Sequence, residues 1–156
     1  MKHEFEVGIH YTQIAIFDSA QVRPYNEWTR GHFMQGFSAR PRSVSFGLPS
    51  DGQAMVTVSS VAVNPSPRMD LIRHIKTPFL SDSGIVEIGS VISTRKINII
   101  PIMYQLEFLL FTINKSNYDY NIYMILIAHD KPIFEITTMN DIERPKGEIL
   151  TDANPA

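Results

Sequence analysis

Tyr104-Gln105-Leu106-Glu107-Phe108-Leu109-Leu110 is the stretch that decides the fold. Tyr104, Leu106, Phe108 and Leu110 recur at every second position, with the polar Gln105 and Glu107 between them. Successive side chains of a strand point to opposite faces, so this pattern is a half-buried β-strand with one apolar face. The same period recurs on either side. Val44, Phe46 and Leu48 share one parity, and Leu71, Ile75 and Phe79 share another. Further strands are expected at 54–63, 85–92 and 121–128, with a weaker one at 133–138. Towards the N-terminus, Phe5, Val7, Ile9 and Tyr11 lie on one parity and Ile14 and Ile16 on the other. A bulge near Thr12-Gln13 would reconcile the two.

Composition points the same way. Ile (20), Val (9) and Thr (9) give 38 β-branched residues against 16 for Leu plus Ala, and branched side chains suit a pleated surface better than a helix. With 156 residues, 44% hydrophobic and 19% charged, the chain is one packed domain and not a disordered or rod-like one. Turn chemistry separates the runs at Pro49-Ser50-Asp51-Gly52, Asn64-Pro65-Ser66-Pro67, Ser81-Asp82-Ser83-Gly84, 114–117 and 129–132. Strands so spaced predict an all-β fold, a two-layer antiparallel β-sandwich. One short helix is expected within it, near residues 29–36. Thr29 is a natural N-cap, Gly36 supplies the residue that ends the helix, and Trp28 can staple onto Phe33. Residues 1–139 make up the sandwich. Residues 140–156, with Pro145, Gly147 and Pro155, read as a polar C-terminal extension.

Several function classes fall away. A net charge of −2 gives too little basic excess for a dedicated nucleic-acid binder. Arg23, Arg30, Arg40, Arg42, Arg68 and Arg73 lie among Tyr25, Trp28 and Phe37, but Asp18, Glu27 and Asp51 dilute that patch. The absence of cysteine removes thiolate chemistry and Cys-bound zinc, and makes a cytoplasmic location the expectation. His3, His10, His32, His74 and His129 occur singly, without metal-ligand spacing; His32, inside the helix, is the one expected to be packed. No phosphate-binding glycine loop and no nucleophile elbow is present, and Ser90 reads as a strand residue. The sequence therefore implies no catalytic residue, no metal and no cofactor, and no membrane insertion; self-association stays open.

A positive signal comes from Tyr118-Asp119-Tyr120, two tyrosines around an acid in a polar turn between strong strands. Tyrosines at loop tips bury much area for few lost rotors, which suits protein contacts. The bland alternative is that Tyr120 begins the next strand and Tyr118 lies on the sheet edge.

The order of landmarks adds a resemblance. Tyr11-x-Gln13-x-x-x-Phe17 is followed by Trp28-Thr29, Gln35-Gly36-Phe37, Ser43-Val44-Ser45-Phe46, Ile75-x-x-Pro78-Phe79, Gly84-Ile85-Val86-Glu87-Ile88-x-Ser90 and Tyr104-Gln105-Leu106. Over residues 7–128 this succession resembles the competence protein J family, small inhibitors that accompany a DNA-degrading nuclease of bacterial transformation, and immunity proteins encoded beside nuclease toxins. The resemblance implies a non-enzymatic protein whose partner is a cognate nuclease, with no direct contact to nucleic acid. Its extension after Thr138 is longer than the family leads one to expect. Contacts to such a partner are expected from Tyr118, Asp119, Tyr120, Asp130 and Glu87, acids facing a basic site with tyrosines excluding water around them. Trp28, Thr29, Gln35, Gly36 and Phe37 are expected to be fold determinants. The rival reading is a carbohydrate- or small-ligand-binding sandwich in which Trp28, Tyr25 and Tyr118 stack on the ligand; a cleft enzyme assembled from distant His and acid residues ranks behind it.

Overall fold

The computed structural model describes residues 1–113, 117–143 and 147–156. Along the chain come β1 (Lys2–Ile9), β2 (Gln13–Asp18), α1 (Arg30–Gln35), β3 (Phe37–Arg40), β4 (Ser43–Gly47), β5 (Gly52–Ser59), β6 (Met69–Leu80), β7 (Ile85–Gly89), β8 (Thr94–Asn98), β9 (Met103–Ile113), β10 (Tyr120–Ala128) and β11 (Glu135–Met139). They form a six-stranded sheet in the order β1-β5-β10-β9-β6-β11 and a five-stranded sheet in the order β3-β4-β2-β7-β8. The expected all-β sandwich with one short helix is borne out. All neighbours run antiparallel except β5 and β10, which are parallel.

The alternation read at the outset builds the core. Leu106, Phe108 and Leu110 of β9 are buried between the sheets with Ile75 and Phe79 of β6, Val56 and Val58 of β5, and Ile122 of β10. From the other sheet come Ile14, Ile16, Val44, Phe46, Val86 and Ile88. Phe46 and Phe108 stack across the interlayer with ring centroids 4.2 Å apart. Each such aromatic pair adds about 0.5–1.5 kcal/mol beyond the area it buries.

Four local expectations are corrected. No bulge lies at Thr12-Gln13: Tyr11 and Thr12 both take positive φ, 56° and 52°, in a two-residue turn closed by the Gln13 N–H on the His10 carbonyl at 3.3 Å. That turn carries the chain from one sheet to the other, which is why the parity switches. The strand expected at 54–63 ends at Ser59, and the one expected at 85–92 ends at Gly89, with β8 following as a separate strand. Leu71 does not share the face of Ile75 and Phe79. A register shift between Leu71 and Arg73 pairs Leu71 with Phe111 and Arg73 with Leu110, so the arginine takes the inward position. The expected turn at 114–117 lies outside the described residues except for Asn117, as does Pro145.

Helix α1 is set by its ends. Thr29 accepts from the His32 N–H, the His32 Nδ1 accepts from the Thr29 N–H at 3.0 Å, and Gly36 closes the helix at φ 83°. A Cβ at Gly36 would also come within 2.7 Å of Met139. Beyond β11 the chain returns along this helix. Gln35 exchanges hydrogen bonds with Leu150 at 2.8 and 3.0 Å, His32 Nε2 meets the Asp152 carbonyl at 2.9 Å, and Glu27 N–H donates to Asn154.

Candidate functional site

Strand directions sort the loops into two ends. One end gathers the 10–13 turn, α1, the Pro49-Ser50-Asp51-Gly52 loop and residues 117–119. Contacts tie these together: Thr12 N–H donates to Asp51 Oδ1 at 2.7 Å, the Ser50 and Tyr120 hydroxyls lie 2.6 Å apart, Gln53 N–H donates to Asp119 Oδ2 at 2.8 Å, and the Trp28 indole N–H donates to Gln13 Oε1 at 3.1 Å. The opposite end carries the loops around Asp18, Ser81 and Asp130.

At the helix end a groove of about 480 Å³ opens between the 10–13 turn and α1. Tyr11 and Phe33 stand on its rim, 73% and 63% exposed. Trp28 and Met34 form the wall, with the Trp28 ring edge-on to Phe33 at 6.1 Å. Arg73 and Asp141 make the floor. Arg73 is only 4% exposed. Its Nε and Nη2 reach the two Asp141 oxygens at 3.0 and 2.6 Å, and Nη1 donates to the Gly47 carbonyl at 2.7 Å. The fork is thereby satisfied, and one buried cation ties the six-stranded sheet, the five-stranded sheet and the segment after β11 together. Large exposed aromatics paired on one rim are unusual on a surface without a binding task.

The residues expected to meet a partner do not form one patch. Tyr118 and Asp119 lie at the helix end. The Tyr118 hydroxyl donates to Glu6, and that hydrogen bond, with burial and the Glu6 charge, pushes the phenol above its ordinary pKa. Tyr120 is buried at the start of β10, its hydroxyl on Ser50. Asp130 lies beyond the far end of that strand, about 26 Å away at 3.3 Å per residue, with its side chain 95% exposed. Glu87 is on the outer face of the other sheet, where it accepts from Ser19 at 3.0 Å and Thr94 at 2.8 Å. Burial and then the Glu87 charge push the Tyr25 phenol up. The rings of the rival reading are likewise dispersed: Tyr25 lies against Phe17, Tyr118 reaches Glu6, and Trp28 lines the groove.

Trp28, Thr29, Gln35, Gly36 and Phe37 all belong to α1 and its flanks, with Trp28 also facing the groove. Sequence reading missed Tyr11, Phe33, Arg73 and Asp141. The parity switch at Tyr11, without a glycine to explain it, was the available signal. Among the described residues no group of three His, Asp or Glu side chains could hold a metal ion, and no helix is long and apolar enough to cross a membrane.

The family model described as Competence protein J (ComJ) matches residues 6–128. The chain belongs to that family. The match bears out the resemblance drawn from the ordered landmarks. No curated protein matches the chain. Among solved structures, the chain is similar to ComJ of Bacillus subtilis, described as an inhibitor of the DNA-degrading activity of NucA. They share 19% identity at a TM-score of 0.66, over 81% of this chain and 96% of that one. A protein described as Crocagin biosynthetic gene J is 12% identical at a TM-score of 0.48, covering 80% of this chain and 97% of its own. The ComJ-family chain thus keeps the fold of a solved member at low identity.

Proposed function

We propose that this ComJ-family protein binds a bacterial DNA-degrading nuclease and blocks its activity without a catalytic step of its own. The observation that carries the reading is the family match across residues 6–128, joined to a fold shared with a protein described as a nuclease inhibitor. The cytoplasmic location expected from a cysteine-free chain belongs to the same proposal.

Interface size favours one end of the molecule. A standard complex covers about 800 Å² on each partner, near a tenth of the 8178 Å² surface. A patch of that size does not take in both ends and both outer faces. Tyr118 and Asp119 therefore stay in the proposed contact, while Asp130 and Glu87 fall outside it.

The test is plasmid degradation by the NucA-like nuclease of the same genome, titrated with purified protein. Protection should saturate at a fixed stoichiometry. Undiminished degradation at a large molar excess would refute the reading. Tyr118→Ala combined with Asp119→Ala removes the hydrogen bonds to Glu6 and Gln53 and should weaken protection per folded molecule beyond any loss of stability, and full protection by that double variant would remove the pair from the contact.

A further inference from the structure

We infer that the groove at the helix end is the principal nuclease contact, and that it receives a Lys- or Arg-bearing segment of the nuclease between Tyr11, Phe33 and Trp28. This rests on the functional reading above and names the site and the chemistry of its occupant.

Among the described residues that line it, the groove presents the rings of Tyr11, Trp28 and Phe33 and one cation, Arg73, which is paired with Asp141. Arg73 spends its donors on Asp141 and the Gly47 carbonyl, so the floor carries no surplus positive charge. Asp51 adds a negative charge beside the 10–13 turn. Asp141 is neutralised by Arg73, so the net charge an anionic occupant would meet is that of Asp51, which repels it. A guanidinium or ammonium would lie against rings that attract cations and near the Asp51 carboxylate beside the 10–13 turn. A nuclease that grips the DNA backbone must itself present Lys and Arg along its phosphate track. Charge complementarity thus selects that track over an apolar or acidic segment.

The turn that presents Tyr11 is held against its own preference. A β-branched residue at positive φ is a rare conformation, and such strain persists where the surroundings impose it. Here Asp51 accepts from the Thr12 N–H and Leu48 N–H donates to the Thr12 carbonyl at 2.9 Å. Tyr11 is thereby fixed at the mouth of the groove whose rim also carries Phe33, itself edge-on to Trp28. Rigid aromatic anchors around a pocket are the usual centre of a tight interface.

The experiment measures inhibition of the same nuclease by wild type, Tyr11→Asn, Phe33→Ser and Asp51→Asn, each at several salt concentrations. Asn tolerates left-handed backbone, so Tyr11→Asn removes the ring and keeps the turn. Phe33 is exposed, so its loss should leave folding intact, checked by thermal melting. Each aromatic variant should inhibit about 30-fold less tightly, and Asp51→Asn should slow association and flatten its salt dependence. Wild-type potency in both aromatic variants, in a protein that does inhibit, would overturn the groove as the contact while the functional reading stands. Loss of potency with unaltered salt dependence in Asp51→Asn would overturn the cationic occupant. No inhibition by wild type would overturn the functional reading and this inference with it.

Discussion

Asp18 and Arg73 are both charged and both buried, one at each end of the sandwich, and they are neutralised in opposite ways. Asp18 has no exposed surface, and no cation among the described residues contributes to its shifted pKa. Its Oδ2 accepts from the Ser81 and Ser83 hydroxyls and the Asp82 and Ser83 N–H groups at 2.8–3.0 Å, and Oδ1 accepts from Ala20 at 2.9 Å. Burial acts to raise its pKa, but these donors outweigh it and hold the carboxyl below the ordinary 3.8. Arg73 instead reaches partners on two separate segments, Asp141 after β11 and Gly47 of β4, and lines an open groove. The two exposed aromatics among the described residues, Tyr11 and Phe33, are both at its end. Burial of charge alone therefore does not mark a functional end; a closed donor shell ties a loop, whereas a pair shared between segments shapes a cleft.

The contrast can be broken most sharply at Arg73. Arg73→Met leaves Asp141 and the Gly47 carbonyl without their donor and should cost about 3 kcal/mol, near the lower figure for breaking a buried pair. The melting temperature should drop by about 6–12 °C, and inhibition should weaken as well because the groove floor is lost. Wild-type inhibition by the folded variant would separate the floor from the site. Asp18→Asn should cost about 2–3 kcal/mol, since an amide cannot accept from every donor now aimed at the carboxylate. Inhibition per folded molecule should stay as in wild type.

Asp18 also sets a pH dependence. Its folded pKa lies below the unfolded one, so unfolding takes up a proton in the window between them. Its contribution is full above the ordinary carboxylate range and is lost as pH falls through the depressed folded value. Denaturant unfolding below about pH 4 should be less steeply acid-sensitive in Asp18→Asn. A smaller effect is expected at Thr29. Removing this cap in Thr29→Ala should cost about 1 kcal/mol, read as a shift in the denaturation midpoint with an unchanged slope.

Much of the scaffold was legible because burial wrote a two-residue period into it. Tyr104, Leu106, Phe108 and Leu110 could occupy one face only, and the structure places them there. The helix was legible from its ends, because Thr29 and Gly36 are chemically suited to stop a backbone. Strand β8 was not, since of its five residues only Ile97 is buried. The parallel pairing of β5 with β10 depends on partners more than sixty residues apart, which no local pattern records. The site escaped for related reasons. Arg73 looks like surface charge until the register shift after Leu71 turns it inward. Asp141 lay in what reads as a polar extension. Tyr11 fitted a strand parity that the chain abandons one residue earlier, at His10.

Hydrogen exchange of the protein alone and in complex with the nuclease tests the difference between the ends most directly. Slowed exchange confined to the 10–13 turn, the 28–36 helix region, the 48–52 loop and residues 117–119 is the predicted result. Slowing centred on residues 81–85 and 129–133, with the helix end unchanged, would contradict the account.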